Sequence, residues 1–72
     1  MHINNILKQL NVLYLEDDET VRKNITTSIA YITKNVYSVS SAEEALDIYY
    51  EKKPDIIVTD IDMKGMNGLD FV

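Results

Sequence analysis

The 72-residue sequence has no cysteine and no tryptophan, only one proline and only two glycines. Without cysteine it forms no disulfide bond, which favours a reducing compartment such as the cytoplasm. No apolar run approaches the ~20 residues of a membrane-spanning helix, and no segment resembles a signal peptide. A domain of this size buries only about 60% of the surface that its unfolded chain exposes, so these absences predict a cytoplasmic domain of marginal stability.

Basic residues are also few, with seven Lys and Arg against twelve Asp and Glu, and the net charge is −5. Nucleic-acid binding by this segment is not expected, because phosphates require a basic surface. Apolar residues make up 46% of the chain, too many for a disordered acidic tail. The composition therefore indicates a single folded domain with no nucleic-acid or membrane partner.

The hydrophobic pattern predicts strands and helices that alternate along the chain. Short apolar runs are typical of buried strands, and apolar residues three and four apart mark helices. The predicted strands lie at 12–15, 36–40 and 56–59, with a helix in each gap and a short helix in front over 1–10. Such alternation indicates a parallel sheet with right-handed crossovers.

Capping residues mark where two of these helices begin. Either Asp17 or Asp18 is placed to cap the helix after the first strand. Ser41 and Glu44 form a capping-box pattern, in which the serine hydroxyl bonds the Glu44 amide and the glutamate side chain reaches back. The second strand is more polar than the first and is predicted to lie at an edge of the sheet.

Acidic residues directly follow two of the predicted strands. Glu16 and Asp17 come after the first strand, and Asp60 and Asp62 come with the end of the third. In an open parallel sheet, sites form at the carboxyl ends of the strands. Neighbouring strands lie about 4.8 Å apart, so if the first and third are neighbours, Glu16, Asp17 and Asp60 converge.

This convergence is costly unless something compensates the charge. Two unit charges 4 Å apart repel by roughly 4 kcal/mol at an effective dielectric near 20. Either some of the carboxyl groups have a raised pKa, or a cation lies among them. Hard oxygen ligands with room for water suit Mg²⁺, and a carboxylate facing Mg²⁺ is a place to bind or accept a phosphoryl group.

Two motifs, VLYLEDDE at 12–19 and PDIIVTDIDMKGMNG at 54–68, resemble the first half of a response-regulator receiver domain of two-component signalling, the CheY-like family. The resemblance implies an α/β, flavodoxin-like, doubly wound parallel sheet with strand order 2-1-3. It divides the chain into a short N-terminal helix or extension at 1–10 and a partial receiver domain at 11–72.

The resemblance also implies a role for each matching residue. Asp60 would be the phosphoacceptor, taking the phosphoryl group from a phosphohistidine of a sensor histidine kinase. Asp17 would bind Mg²⁺ directly and Glu16 would reach it through water. Asp60 itself and the backbone carbonyl of Asp62 would be further metal ligands. Such a domain is not a classical enzyme, since it catalyses only its own phosphorylation and dephosphorylation.

The sequence departs from the family pattern in two respects. Lys64 stands where the family usually has proline, which loosens that loop and adds a positive charge near the site. Receivers also have two further strands and helices, which carry a phosphoryl-binding serine or threonine, a lysine and an aromatic switch residue. The 72 residues hold no counterpart of these, so we expect impaired signalling and self-association through the exposed edge of the third strand.

Other readings of the same residues stay open. The 16–19 run is also typical of a solvated helix start, and Asp60 of a turn. Asp60 and Asp62 also resemble the D-x-D motif of haloacid-dehalogenase-type phosphatases, with Asp60 as nucleophile and Asp62 as general acid. That reading leaves Glu16 and Asp17 unexplained. A third reading is a self-associating interaction module without phosphoryl chemistry.

Overall fold

Helices and strands alternate along residues 3–59, which is the part of the chain that the computed structural model describes. The order and number of elements in this part agree with the sequence prediction. In chain order they are α1 (Ile3–Leu7), β1 (Asn11–Leu15), α2 (Glu19–Ile32), β2 (Asn35–Val39), α3 (Ala42–Lys52) and β3 (Ile56–Thr59).

The three strands form a parallel sheet in the order β2-β1-β3, as predicted. β2 lies at one edge, which agrees with its more polar sequence. Leu15 at the end of β1 is paired with Val39 on one side and with Thr59 on the other. All three strands therefore end at the same level of the sheet.

β1 lies at the centre of the core because its apolar run is covered on both faces. Each residue from 12 to 15 is buried, and Leu13 and Leu15 are 0% exposed. Continuous apolar runs of this kind are typical of strands inside parallel sheets. The two leucines pack with residues of β2 and α3, namely Val39, Ala42 and Ala45.

α2 begins at a side-chain cap and carries an apolar face that residues 3–59 cover only in part. The Asp18 carboxylate accepts a hydrogen bond from the Val21 N–H at 2.9 Å, so Asp18 rather than Asp17 is the cap. No residue of α2 is buried, and three of its apolar residues are 41–48% exposed: Val21, Ile25 and Ile32. Hydrophobic spacing predicted the helix and its face, but not how much of that face is covered.

α3 begins at the predicted capping box, with one difference in detail. The Ser41 hydroxyl accepts a hydrogen bond from the Glu44 N–H at 3.2 Å, as expected. The Glu44 carboxylate reaches back to hydroxyl groups, accepting from Ser40 at 2.8 Å and from Ser41 at 3.2 Å. From this start, α3 packs against β1 and β2.

α3 ends at Lys52, and the residue that caps it, Lys53, has a left-handed backbone with φ 47°. This conformation costs a non-glycine residue about 1–2 kcal/mol. Glycine avoids this cost, but it also has greater conformational freedom in the unfolded chain, which cancels part of the gain in stability. We expect Lys53→Gly to raise the free energy of unfolding by about 0.5–1 kcal/mol, measured by urea denaturation. Lys52→Gly, one residue earlier and inside the helix, is the control and should lower it by about 1 kcal/mol; a decrease in both variants would contradict the prediction.

Candidate functional site

The candidate site begins where β1 ends, at the carboxyl edge of the sheet. Glu16 and Asp17 follow Leu15 directly. The Glu16 N–H donates a hydrogen bond to the Val39 carbonyl at 3.1 Å, which extends the pairing of β1 with β2 by one residue. Glu16 is thus positioned by the sheet itself.

Glu16 is the one acidic residue within residues 5–59 that is buried. It is only 8% exposed. Its Oε2 atom accepts a hydrogen bond from the Asp18 N–H at 3.2 Å, and its carbonyl accepts one from Nη1 of Arg22 at 2.8 Å. Buried polar groups are normally satisfied in this way, and the result is a glutamate anchored to β2, to the loop and to α2.

Asp17 differs from its two neighbours because its carboxylate is exposed and uncommitted within residues 3–59. Asp18 is used as the cap of α2, and Glu16 is anchored as described above. Asp17 lies between these two fixed residues, at the carboxyl edge of the sheet. Of these three residues, Asp17 is therefore the one with both carboxylate oxygens available to a ligand.

The other predicted site residues, Asp60 and Asp62, lie outside the described residues. Asp60 follows Thr59 directly in the sequence, and Thr59 is the partner of Leu15 in the β1–β3 pair. The structure therefore brings Glu16 and Asp17 to the end of the strand that is paired with β3. Their convergence with Asp60 stays a prediction, and so does the role of the Asp62 carbonyl.

The two carboxylates that the structure describes at this site are of a kind that suits Mg²⁺. Glu16 and Asp17 supply hard carboxylate oxygens, which this ion prefers, and few protein ligands leave room for water. Residues 3–59 contain no group of three or more His, Cys, Asp or Glu side chains that could hold a metal. The third carboxylate of the predicted set, that of Asp60, is not among those residues.

Arg22 is the site neighbour that the sequence analysis missed. It lies on α2 and its guanidinium reaches back across the loop to the Glu16 carbonyl. The sequence pattern alone indicates an ordinary surface residue of an amphipathic helix at this position. The available signal was an arginine four residues after the Asp18 cap and six after Glu16, inside a strongly acidic segment.

No helix within residues 3–59 is long and apolar enough to cross a membrane.

Comparison with known sequences gives a family for the chain. The response regulator receiver domain pattern matches residues 12–72. The probable transcriptional regulator ycf27 of Guillardia theta is 33% identical over 57 residues, which are 79% of this chain and 22% of that protein. The response regulator MprA of a Mycobacterium species (strain KMS) is 34% identical over 64 residues, which cover 85% of this chain and 26% of that protein.

Solved structures give the same picture for the fold. The chemotaxis response regulator CheY4 of Vibrio cholerae superposes with a TM-score of 0.80 at 24% identity, covering 88% of this chain and 52% of that one. The N-terminal domain of a Wolinella succinogenes protein also gives 0.80, at 34% identity, with 86% and 50% covered. The predicted flavodoxin-like fold is confirmed, and these comparisons lend no support to the phosphatase reading.

The chain spans about a quarter of the length of the curated relatives it matches and about half of the structural neighbours. The family pattern nevertheless covers all but the leading segment, including both acidic motifs. On that match, supported by the strand order and by the acidic residues at the end of β1, the chain belongs to the response regulator receiver domain family.

Proposed function

We propose that this chain is the phosphoacceptor part of a two-component response regulator and takes a phosphoryl group on Asp60 in a Mg²⁺-dependent reaction. The supporting observation is that β1 and β3 end side by side, with Leu15 paired to Thr59. Glu16 and Asp17 follow the first of these residues, and Asp60 follows the second by one peptide bond. The topology thus brings the acidic segment after β1 to the strand end from which Asp60 continues.

The two described carboxylates suit different tasks in holding Mg²⁺. Asp17 is exposed and uncommitted within residues 3–59, which supports direct binding of the ion. Glu16 is buried and already accepts a hydrogen bond, which supports contact through water. Asp60 and the backbone carbonyl of Asp62 would complete the protein ligands. When bound, Mg²⁺ offsets the negative charge of the incoming phosphoryl group.

The proposed transfer forms one bond and breaks one. A carboxylate oxygen of Asp60 attacks the phosphorus of a phosphohistidine on a sensor histidine kinase, and an O–P bond forms. The P–N bond breaks, and its electron pair stays on the imidazole nitrogen, which takes up a proton. The product is an acyl phosphate on Asp60. The domain promotes its own phosphorylation and dephosphorylation and does not turn over a separate substrate. The phosphorylated domain passes the signal to an output partner.

The intact mass of the protein after incubation with acetyl phosphate tests this function. We expect a gain of one phosphoryl group that requires Mg²⁺ and that hydroxylamine removes, because hydroxylamine cleaves acyl phosphates but not serine or threonine phosphates. A label that forms equally well without Mg²⁺, or no label, would contradict the proposal. Sustained hydrolysis of a phosphomonoester such as p-nitrophenyl phosphate would favour the phosphatase reading.

Self-association is a separate expectation for a polypeptide of residues 1–72 on its own. Within residues 3–59, β3 is paired only with β1, and its apolar residues Ile56 and Val58 are each 40% exposed. Uncovered apolar edge strands pair with other chains. We expect dimers or larger species by size-exclusion chromatography with light scattering. Val58→Lys should weaken the association, because lysine on an edge strand opposes pairing; a monodisperse wild-type monomer would contradict the expectation.

A further inference from the structure

We propose that Arg22 is a positioning residue for the acidic site: its guanidinium holds the Glu16–Asp17 segment so that both carboxylates are presented to Mg²⁺, without itself occupying a carboxylate oxygen. This inference rests on the proposed function, since it concerns the same metal site.

Arg22 attaches α2 to the loop through both its backbone and its side chain. Its N–H donates to the Asp18 carbonyl at 2.8 Å, and its Nη1 donates to the Glu16 carbonyl at 2.8 Å in a partly buried position. Hydrogen bonds from a charged donor are stronger than neutral ones. The loop between β1 and α2 is therefore tied to the helix at two places, one on either side of Asp17.

The bond to the Glu16 carbonyl has a direct consequence for Asp17. The Glu16 C=O and the Asp17 N–H belong to one rigid planar peptide unit. Holding the carbonyl oxygen restrains that plane and with it the N and Cα atoms of Asp17. The Asp18 N–H, which is bonded to Oε2 of Glu16, restrains the peptide unit on the other side, and the two together set the direction in which the Asp17 side chain leaves the backbone. The Glu16 N–H is already bonded to Val39, so the segment before Asp17 is held at both ends.

The choice of a carbonyl as acceptor matters because carboxylates are close at hand. Residues 16–19 are all acidic, and arginine commonly pairs with a carboxylate through two hydrogen bonds. In the part of the chain that the structure describes, the ion pair present is Lys52–Glu51, and Arg22 has no such pair. Its bond to a carbonyl leaves the oxygens of Asp17 and Oε1 of Glu16 available to a metal ion.

A positioning role and a simple charge effect predict opposite results. As a nearby positive charge, Arg22 repels Mg²⁺, so its removal should strengthen binding. As a positioning residue, its removal should weaken binding. Arg22→Met removes the charge and the hydrogen bond but keeps an apolar stem. Lys23, exposed on the same turn and without a side-chain partner within residues 3–59, allows Lys23→Met as a control that removes the same charge but no bond.

The experiment is a Mg²⁺ titration of the intact protein and its variants. Binding is measured by isothermal titration calorimetry and by the change in the amide NMR chemical shifts of Asp17 and Asp18. We expect Arg22→Met to bind Mg²⁺ about 10-fold more weakly, the lower end of the effect of losing a residue that orients a ligand. Lys23→Met should bind equally or slightly more tightly. Arg22→Lys, which keeps one charged donor, should lie between wild type and Arg22→Met.

Unchanged or tighter binding by Arg22→Met would overturn the inference, and a lower melting temperature without weaker binding would do the same. If Arg22→Met does not fold, Arg22→Gln carries the same prediction, because it is uncharged and too short to replace the bond. A wild-type protein that does not bind Mg²⁺ would overturn the proposed function and this inference with it. Wild-type binding with unaffected variants would overturn the inference alone.

Discussion

Asp60→Asn should reduce Mg²⁺-dependent labelling by acetyl phosphate to background. An asparagine has the shape of aspartate but lacks the charged oxygen that attacks phosphorus, so no acyl phosphate forms. The fold should be preserved, because asparagine has nearly the same size as aspartate and the change removes only a charge. Intact mass spectrometry of the protein checks the result, with circular dichroism to confirm folding. A label that persists on Asp60→Asn and is still cleaved by hydroxylamine would place the phosphoacceptor elsewhere.

Asp62→Asn is the matched control for this experiment. It removes the same charge two residues later in the same motif. In the proposed site Asp62 contributes its backbone carbonyl, so labelling should persist, with a change in the lifetime of the label at most. In the phosphatase reading Asp62 is the general acid, and its loss should abolish turnover. The pair of variants therefore distinguishes the two functions as well as the two residues.

Most of the described fold could be predicted from local sequence. The apolar run at 12–15 is bounded by polar residues and too short for a buried helix, and it forms the central strand. The Ser41 cap follows from a serine three residues before an acidic residue. These features are local, because each depends on residues within one or two turns of each other. Their agreement with the overall topology is what a foldable sequence requires.

The features that could not be predicted depend on distant parts of the chain. Asp17 and Asp18 are both adequate caps by composition, and the loop geometry selects Asp18. The period of α2 shows which face is apolar, but burial depends on what packs against that face. The contact of Arg22 with the Glu16 carbonyl requires the loop to bring the two together.

The site could be predicted in part, for a related reason. The rule that parallel strands end at one edge of a sheet puts the segment after β1 beside the end of β3. The β1–β3 pairing that this requires is confirmed, and the convergence of Glu16 and Asp17 with Asp60 stays a prediction. The rule does not say which carboxylate is anchored and which is available. That division appears only in the hydrogen bonds of Glu16 and in the exposure of Asp17.

Asp17→Asn should separate the two consequences of a tight carboxylate cluster. Without metal, the variant should melt at a higher temperature, because one of the mutually repelling charges is gone. Asp17 is exposed, so solvent reduces that repulsion to about 1 kcal/mol, which corresponds to about 4–8 °C in a domain of this size. With metal, the variant should lose most of the stabilisation that Mg²⁺ gives the wild-type protein. Mg²⁺ at 100 times its Kd stabilises a folded protein by about 2.7 kcal/mol, and loss of a direct ligand should raise the Kd at least about 100-fold.

Thermal melts with and without Mg²⁺ measure both effects, with Asp47→Asn as the control. Asp47 is exposed on α3, and its substitution by asparagine removes the same charge at a position away from the site. It should leave the response to Mg²⁺ unchanged, so any general effect of lowering the negative charge appears in both variants. An unaltered metal-free melting temperature in Asp17→Asn would mean that the carboxylates are not closely grouped. Full stabilisation of Asp17→Asn by Mg²⁺ would mean that Asp17 does not bind the ion directly, because a carboxamide oxygen carries too little charge to replace it.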